Sequence, residues 1–175
     1  EGDDPAAQDI QPGVESFCAR ARDVDLRPVY GRRPAVRPGA HGFFPLPSAG
    51  SACKRLNLFL RWMVRRDGID LGTWTRLSPA RLIIPLDVHV IRVGQCLGLT
   101  QYASPGWRMA ASITASLRQI DPLDPVKYDF ALCHLGMQGL CGFKTPAGNS
   151  RCPLRGACRP HARRRPASRR PSGRR

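Results

Sequence analysis

Between residues 51 and 136, apolar side chains return every three or four positions in successive runs, each opened by a residue that starts helices; this periodicity defines an all-α fold. In the first run Ser51 stands as the N-cap, and Leu56, Phe59, Leu60, Met63 and Val64 share one helical face. Lys54, Arg55, Arg61 and Arg65 fall on the opposite face, which reads as a solvated one. Asp67-Gly68 ends this helix, and residues 71–82 hold a short helix or turn around Trp74. The apolar stretch Leu82-Ile83-Ile84-Pro85 has β-branched content, but Pro85 favours an extended connector over a strand. Asp87 then caps a helix that runs to about Leu97 and stops at Gly98. Ser104-Pro105 opens another, with Ala110, Ile113, Leu117 and Ile120 turned inward. Asp124-Pro125 opens the last, through Tyr128, Ala131, Leu132 and Leu135 to Gly136.

A chain of 175 residues suits one core. Residues 1–42 read as irregular and mostly loop, with a short helix near 14–22; residues 43–140 form the helical domain, 141–158 a cysteine-containing loop, and 159–175 a disordered basic tail. The start at Glu1, without an initiator methionine, reads as that of a processed product or of a fragment with its N-terminal half missing. No apolar run is long enough to cross a bilayer and the start has no signal-peptide pattern, so a cytoplasmic protein without a membrane partner is expected. The net charge of +15 favours a polyanionic partner, because each phosphate contact releases condensed counterions. Eight arginines and no acidic residue lie in 159–175, so much of that charge says little about the folded part.

Two features meet in the middle of the chain: a Leu46-Pro47-Ser48-Ala49-Gly50 turn feeding a helix with an early Lys54, and Asp87 at the mouth of a later helix in the context Leu86-Asp87-Val88-His89-Val90-Ile91-Arg92-Val93. With them the chain resembles the helix-hairpin-helix DNA glycosylase superfamily, which includes endonuclease III and the adenine glycosylases. The closer likeness, to a bacterial branch known mainly as conserved hypothetical proteins, is carried by Gly50-Ser51-Ala52-Cys53-Lys54-Arg55-Leu56-Asn57, Leu60-Arg61-Trp62-Met63-Val64-Arg65 and Asp124-Pro125-Val126-Lys127-Tyr128-Asp129-Phe130-Ala131-Leu132.

The resemblance implies a partner, double-stranded DNA, and a mechanism. Hairpin amides hold a phosphate, a base is flipped out, and a carboxylate acts on its N-glycosidic bond, where cleavage builds positive charge on the sugar. Asp87 matches that carboxylate, and its helix-start position should keep it ionised. Lys54 matches the lysine that in bifunctional members forms a Schiff base and gives AP-lyase activity, although the Gly-to-Lys spacing here is two residues longer. Ser48, Gly50, Ser51, Lys54 and Arg55 become the DNA-binding set. His89 reads as a satisfied structural imidazole, and Arg92 as half of a structural ion pair.

Cys152-Pro153-Leu154-Arg155-Gly156-Ala157-Cys158 matches the final C-x5-C of the four-cysteine iron-sulfur loop found in many relatives. Asn149 stands where another cysteine belongs, so Cys133, Cys141, Cys152 and Cys158 would hold a [4Fe-4S] cluster only in an unusual spacing. A degenerate remnant, a zinc site completed by His134 or His161, and no metal remain open. Cys18, Cys53 and Cys96 read as small buried side chains. Three functional readings follow: a base-excision glycosylase acting through Asp87, a non-catalytic DNA-binding fragment of that family, and a small metal-binding, RNA-associated protein.

Overall fold

A computed structural model describes residues 6–25, 27–31, 38–139 and 151–158. The chain is all-α: among the described residues the only sheet-like pairing is an isolated antiparallel bridge between Arg66 and Leu71. The helices are α1 (Gln11–Asp23), α2 (Arg27–Tyr30), α3 (Pro38–Phe43), α4 (Lys54–Val64), α5 (Val88–Cys96), α6 (Trp107–Arg118) and α7 (Asp129–Met137), with 3-10 turns at Pro79–Arg81 and Pro125–Tyr128. None of them is long and apolar enough to cross a membrane. The tail, residues 159–175, lies outside the described residues.

The N-terminal segment is less irregular than its proline and glycine content suggests. Pro12 sits in the first turn of α1, where a missing N–H costs nothing, and Ile10, Val14 and Cys18 on one side of the helix enter the common core. Backbone and side-chain bonds fasten this segment to the rest: Ile10 N–H donates to the Arg81 carbonyl at 3.0 Å, and Arg22 Nε to the Phe44 carbonyl at 2.7 Å.

Residues 82–86 are extended and buried, the connector that Pro85 favoured over the strand suggested by the β-branched content. An extended buried segment must place its amides, and Ile84 N–H donates to Thr114 Oγ1 at 3.0 Å, whose hydroxyl donates in turn to the Ala110 carbonyl at 2.8 Å. Thr114 therefore joins α6 to the connector that delivers Asp87.

Two helices start later than their sequence signals. Helix α4 begins at Lys54, after Cys53 in the left-handed region (φ 46°); Ser51 Oγ accepts the Cys53 N–H at 3.2 Å, closing the entry turn and leaving the helix itself without a side-chain cap. Helix α6 begins at Trp107 after Gly106, not at Ser104-Pro105. There the chain packs so tightly that a Cβ on Gly106 would stand 2.7 Å from the Gly50 carbonyl oxygen. At the last helix Asp124 makes no cap, because its carboxylate is drawn away to Arg65 at 2.9 Å.

The face of α4 that its charges marked as solvated is half buried. Lys54 and Arg55 are exposed, but Arg61 and Arg65 lie inside a network of carboxylates. Arg61 pairs with Asp70 at 3.1 Å and with Asp129; Arg65 pairs with Asp67 and Asp124, each at 2.9 Å, and with Asp70. The loop after α4 thus supplies Asp70, fully buried, as the bridge between the two guanidinium groups. The network ties α4 to the start of α7.

Candidate functional site

The turn at residues 46–50 closes through Ala49 N–H to the Leu46 carbonyl (3.2 Å) and Gly50 N–H to the Pro47 carbonyl (2.8 Å), and Gly50 takes φ 86°, which favours glycine. Its carbonyl accepts the Trp107 N–H at 3.2 Å, which fixes the turn against the start of α6. From there the entry to α4 is locked by Asn57 Nδ2 donating to the Ala52 carbonyl (3.0 Å) and Cys53 Sγ to the Pro45 carbonyl (3.2 Å). The first-turn amides of α4 have no intrahelical acceptors and Cys53 offers no side-chain cap, so among the described residues this helix start presents unpaired donors with Lys54 and Arg55 on it.

Asp87 caps α5, as its sequence context indicates. One oxygen, Oδ1, accepts the amides of His89 and Val90, each at 2.8 Å, and the other, Oδ2, receives the Cys133 thiol at 3.2 Å. Burial pushes the carboxyl upward, but the Val90 amide, the Cys133 thiol, the charge of Lys54 and the His89 amide together hold it below the usual carboxylate range. The same surroundings act oppositely on the thiol: burial, the Asp87 bond and the charges of Asp87 and Asp129 push Cys133 up to about 11. The pair is therefore a protonated thiol donating to an ionised carboxylate.

Lys54 and Asp87, 33 residues apart in sequence, lie close enough for the ammonium to act on both Asp87 and Cys133. Asp129 stands behind them. Burial pushes its carboxyl up to about 6, Arg61 opposes the rise, and the charges of Asp87 and Asp70 add to it. The physical reason is chiefly the cost of burying a charge: Arg61 lowers the carboxyl, and the charges of Asp87 and Asp70 raise it by less than burial does.

The remaining sequence candidates fall in varied places. Ser48 is exposed in the turn, but its N–H donates to Glu15 Oε2 at 2.9 Å and its hydroxyl to Glu15 Oε1, so an internal carboxylate of α1 already uses both donors. Gly50 and Ser51 shape the entry to α4, and Arg55 lies over the Phe43 ring at 5.2 Å while donating to the Gly42 carbonyl. His89 is not the satisfied imidazole that its sequence context suggests: its Nδ1 is buried with no partner among the described residues, because the ring packs against Gly136, where a Cβ would come within 2.6 Å of His89 Cβ. Arg92 is exposed and makes no ion pair among the described residues.

The cysteines do not gather. Cys158 is disulfide-bonded to Cys96 on α5, Cys133 is directed at Asp87, Cys152 is buried and free, and Cys141 lies outside the described residues. Among the described residues no three His, Cys, Asp or Glu side chains converge on a common point. With Cys158 sulfur committed to Cys96, this arrangement does not fit a four-thiolate cluster. Cys96, which reads from the sequence as a small buried side chain, is the disulfide partner of Cys158.

Sequence reading missed Cys133 as the partner of Asp87, Glu15 as the partner of Ser48, and Asp129 and Arg61 as the charges behind the site. Cys133 and Gly136 are three positions apart on α7, a helical-face spacing that marks both as facing α5.

A family model described as Protein of unknown function (DUF2400) matches residues 4–138, and the chain belongs to that family. No curated protein and no solved structure matches it.

Proposed function

We propose that the protein binds double-stranded DNA and acts as a base-excision glycosylase, with Asp87 as the carboxylate that serves the N-glycosidic bond of a flipped base. The observation that carries this reading is the state of Asp87: an ionised carboxylate held at a helix start, beside an exposed lysine and next to a second helix start with bare amides. Cleavage of an N-glycosidic bond leaves positive charge on the sugar, and a preoriented anion stabilises it without reorganising at the moment of reaction. A carboxyl kept below its usual range is a poor general acid, so Asp87 stabilises the developing cation or orients an attacking water rather than donating a proton.

The amides and cations at the start of α4 provide the phosphate contact, and the net charge of +15 the general attraction to a polyanion. Among the turn residues, Ser48 contributes least, since Glu15 occupies its donors. Lys54 is the residue through which the enzyme would also cleave the strand, as a Schiff base with the opened sugar.

A panel of duplexes bearing different lesions and mismatches tests the proposal, with borohydride trapping to detect a Lys54 adduct. Base release lost on Asp87→Asn supports it. Undiminished release by that variant would remove Asp87 from the reaction.

A further inference from the structure

We infer that Cys133 is a positioning residue for Asp87: its S–H fixes the plane of the carboxylate and so the direction in which that group faces the sugar. The inference rests on the reading of Asp87 given above. Both amides from α5 bind the same oxygen, Oδ1, and a carboxylate held through one oxygen alone can still rotate about the line from Cβ to that oxygen, by coupled changes of χ1 and χ2. Among the described residues the only side-chain donor meeting Oδ2 is Cys133, 46 residues away on α7, at 3.2 Å. A second point of attachment from a different helix removes the rotation.

Donor and acceptor roles are fixed by the surroundings. Asp87 is ionised and can only accept, while Cys133 sits at about 11 and stays protonated at neutral pH. A thiol is a weak donor, so it orients the carboxylate while leaving its charge largely available to a developing cation, which a lysine or arginine in its place would neutralise. The approach of α7 to α5 that makes this contact is set one turn further on, where Gly136 lets the helix close onto His89. Cys133 is half-buried, and Lys54 beside it is exposed.

The test uses the full chain with Cys133→Ala and Cys133→Ser. Single-turnover base release is expected to fall about tenfold in the alanine variant, the loss of one hydrogen bond to a charged group, and to recover in the serine variant, which keeps a donor. DNA affinity is expected to stay the same in all three proteins, since the thiol touches Asp87 and not the hairpin. A second readout does not depend on excision: alkylation of Cys133 by N-ethylmaleimide at neutral pH, followed by peptide mass spectrometry, is expected to run several-fold faster in Asp87→Asn, because removing the carboxylate charge releases the thiol proton more readily. Excision by Cys133→Ala at the wild-type rate would overturn the positioning role while leaving Asp87 in place, and equal alkylation in Asp87→Asn would overturn the contact itself. Failure of the wild-type protein to release any base would remove the catalytic reading of Asp87 and with it this role.

Discussion

Replacing Asp129 by asparagine is expected to change the pH dependence of stability more than stability at any one pH. In the folded protein burial raises this carboxyl from 3.8 to about 6, against the pull of Arg61. A raised carboxyl binds its proton more tightly when folded, so its contribution is most favourable below about pH 4, where both states are protonated. It declines as pH rises to about 6 and is level above. A shift of about two units corresponds to about 3 kcal/mol between those limits. Asparagine keeps the shape and an acceptor for Arg61 but does not titrate. Whatever the substitution costs through the weakened bond is the same at every pH and cancels in the comparison. The difference in unfolding free energy between Asp129→Asn and wild type, from urea melts at about pH 4 and about pH 7, should therefore move by about 3 kcal/mol in favour of the variant. Parallel curves for the two proteins would refute the idea that burial raises the Asp129 carboxyl in spite of its pairing with Arg61.

Arg61→Met removes the partner of Asp129 and one of the two partners of Asp70 and should cost about 3–5 kcal/mol in the same melts at neutral pH, since the buried Asp129 carboxylate is left uncompensated; a loss near zero would show that water reaches it. Gly136→Ala places a methyl group 2.6 Å from the root of the His89 side chain, so α7 must retreat from α5. It should destabilise by about 1–3 kcal/mol despite alanine's better helix propensity, and a stabilised variant would contradict that packing. Cys158→Ser opens a link of sequence separation 62 and should lower stability by about 4 kcal/mol under non-reducing conditions, with reductant bringing wild type to the same midpoint. Identical midpoints without reductant would mean that the Cys96–Cys158 bond is not formed in solution.

The helices around the site were legible because their apolar spacing reflects a single buried face, and Asp87 was legible because an aspartate before Val88-His89-Val90 has amides within reach of its own side chain. Local chemistry of that kind can be read along the chain. What could not be read depends on partners distant in sequence. Arg61 and Arg65 have the spacing of a solvated charged face, and only the folded chain brings Asp70, Asp124 and Asp129 to them. Asp124 before Pro125 carries a cap signal, but Arg65 competes for its carboxylate and wins. The start of α4 moved because its entry depends on the left-handed backbone of Cys53, a conformation that no residue type at that position announces. Cys133 was grouped with the other cysteines by sequence proximity, whereas its thiol faces a carboxylate on another helix.

The central claim is that Asp87 works on a sugar and does not merely cap a helix, and the two roles separate cleanly in one comparison. Asparagine can cap α5 by accepting the same His89 and Val90 amides, so Asp87→Asn should fold with stability close to wild type. Base release from the best lesion-bearing duplex, measured in single turnover for the two proteins at matched DNA occupancy, is expected to fall at least roughly a hundredfold in the variant. Equal rates of release from the two folded proteins would leave Asp87 as a helix cap and contradict the account.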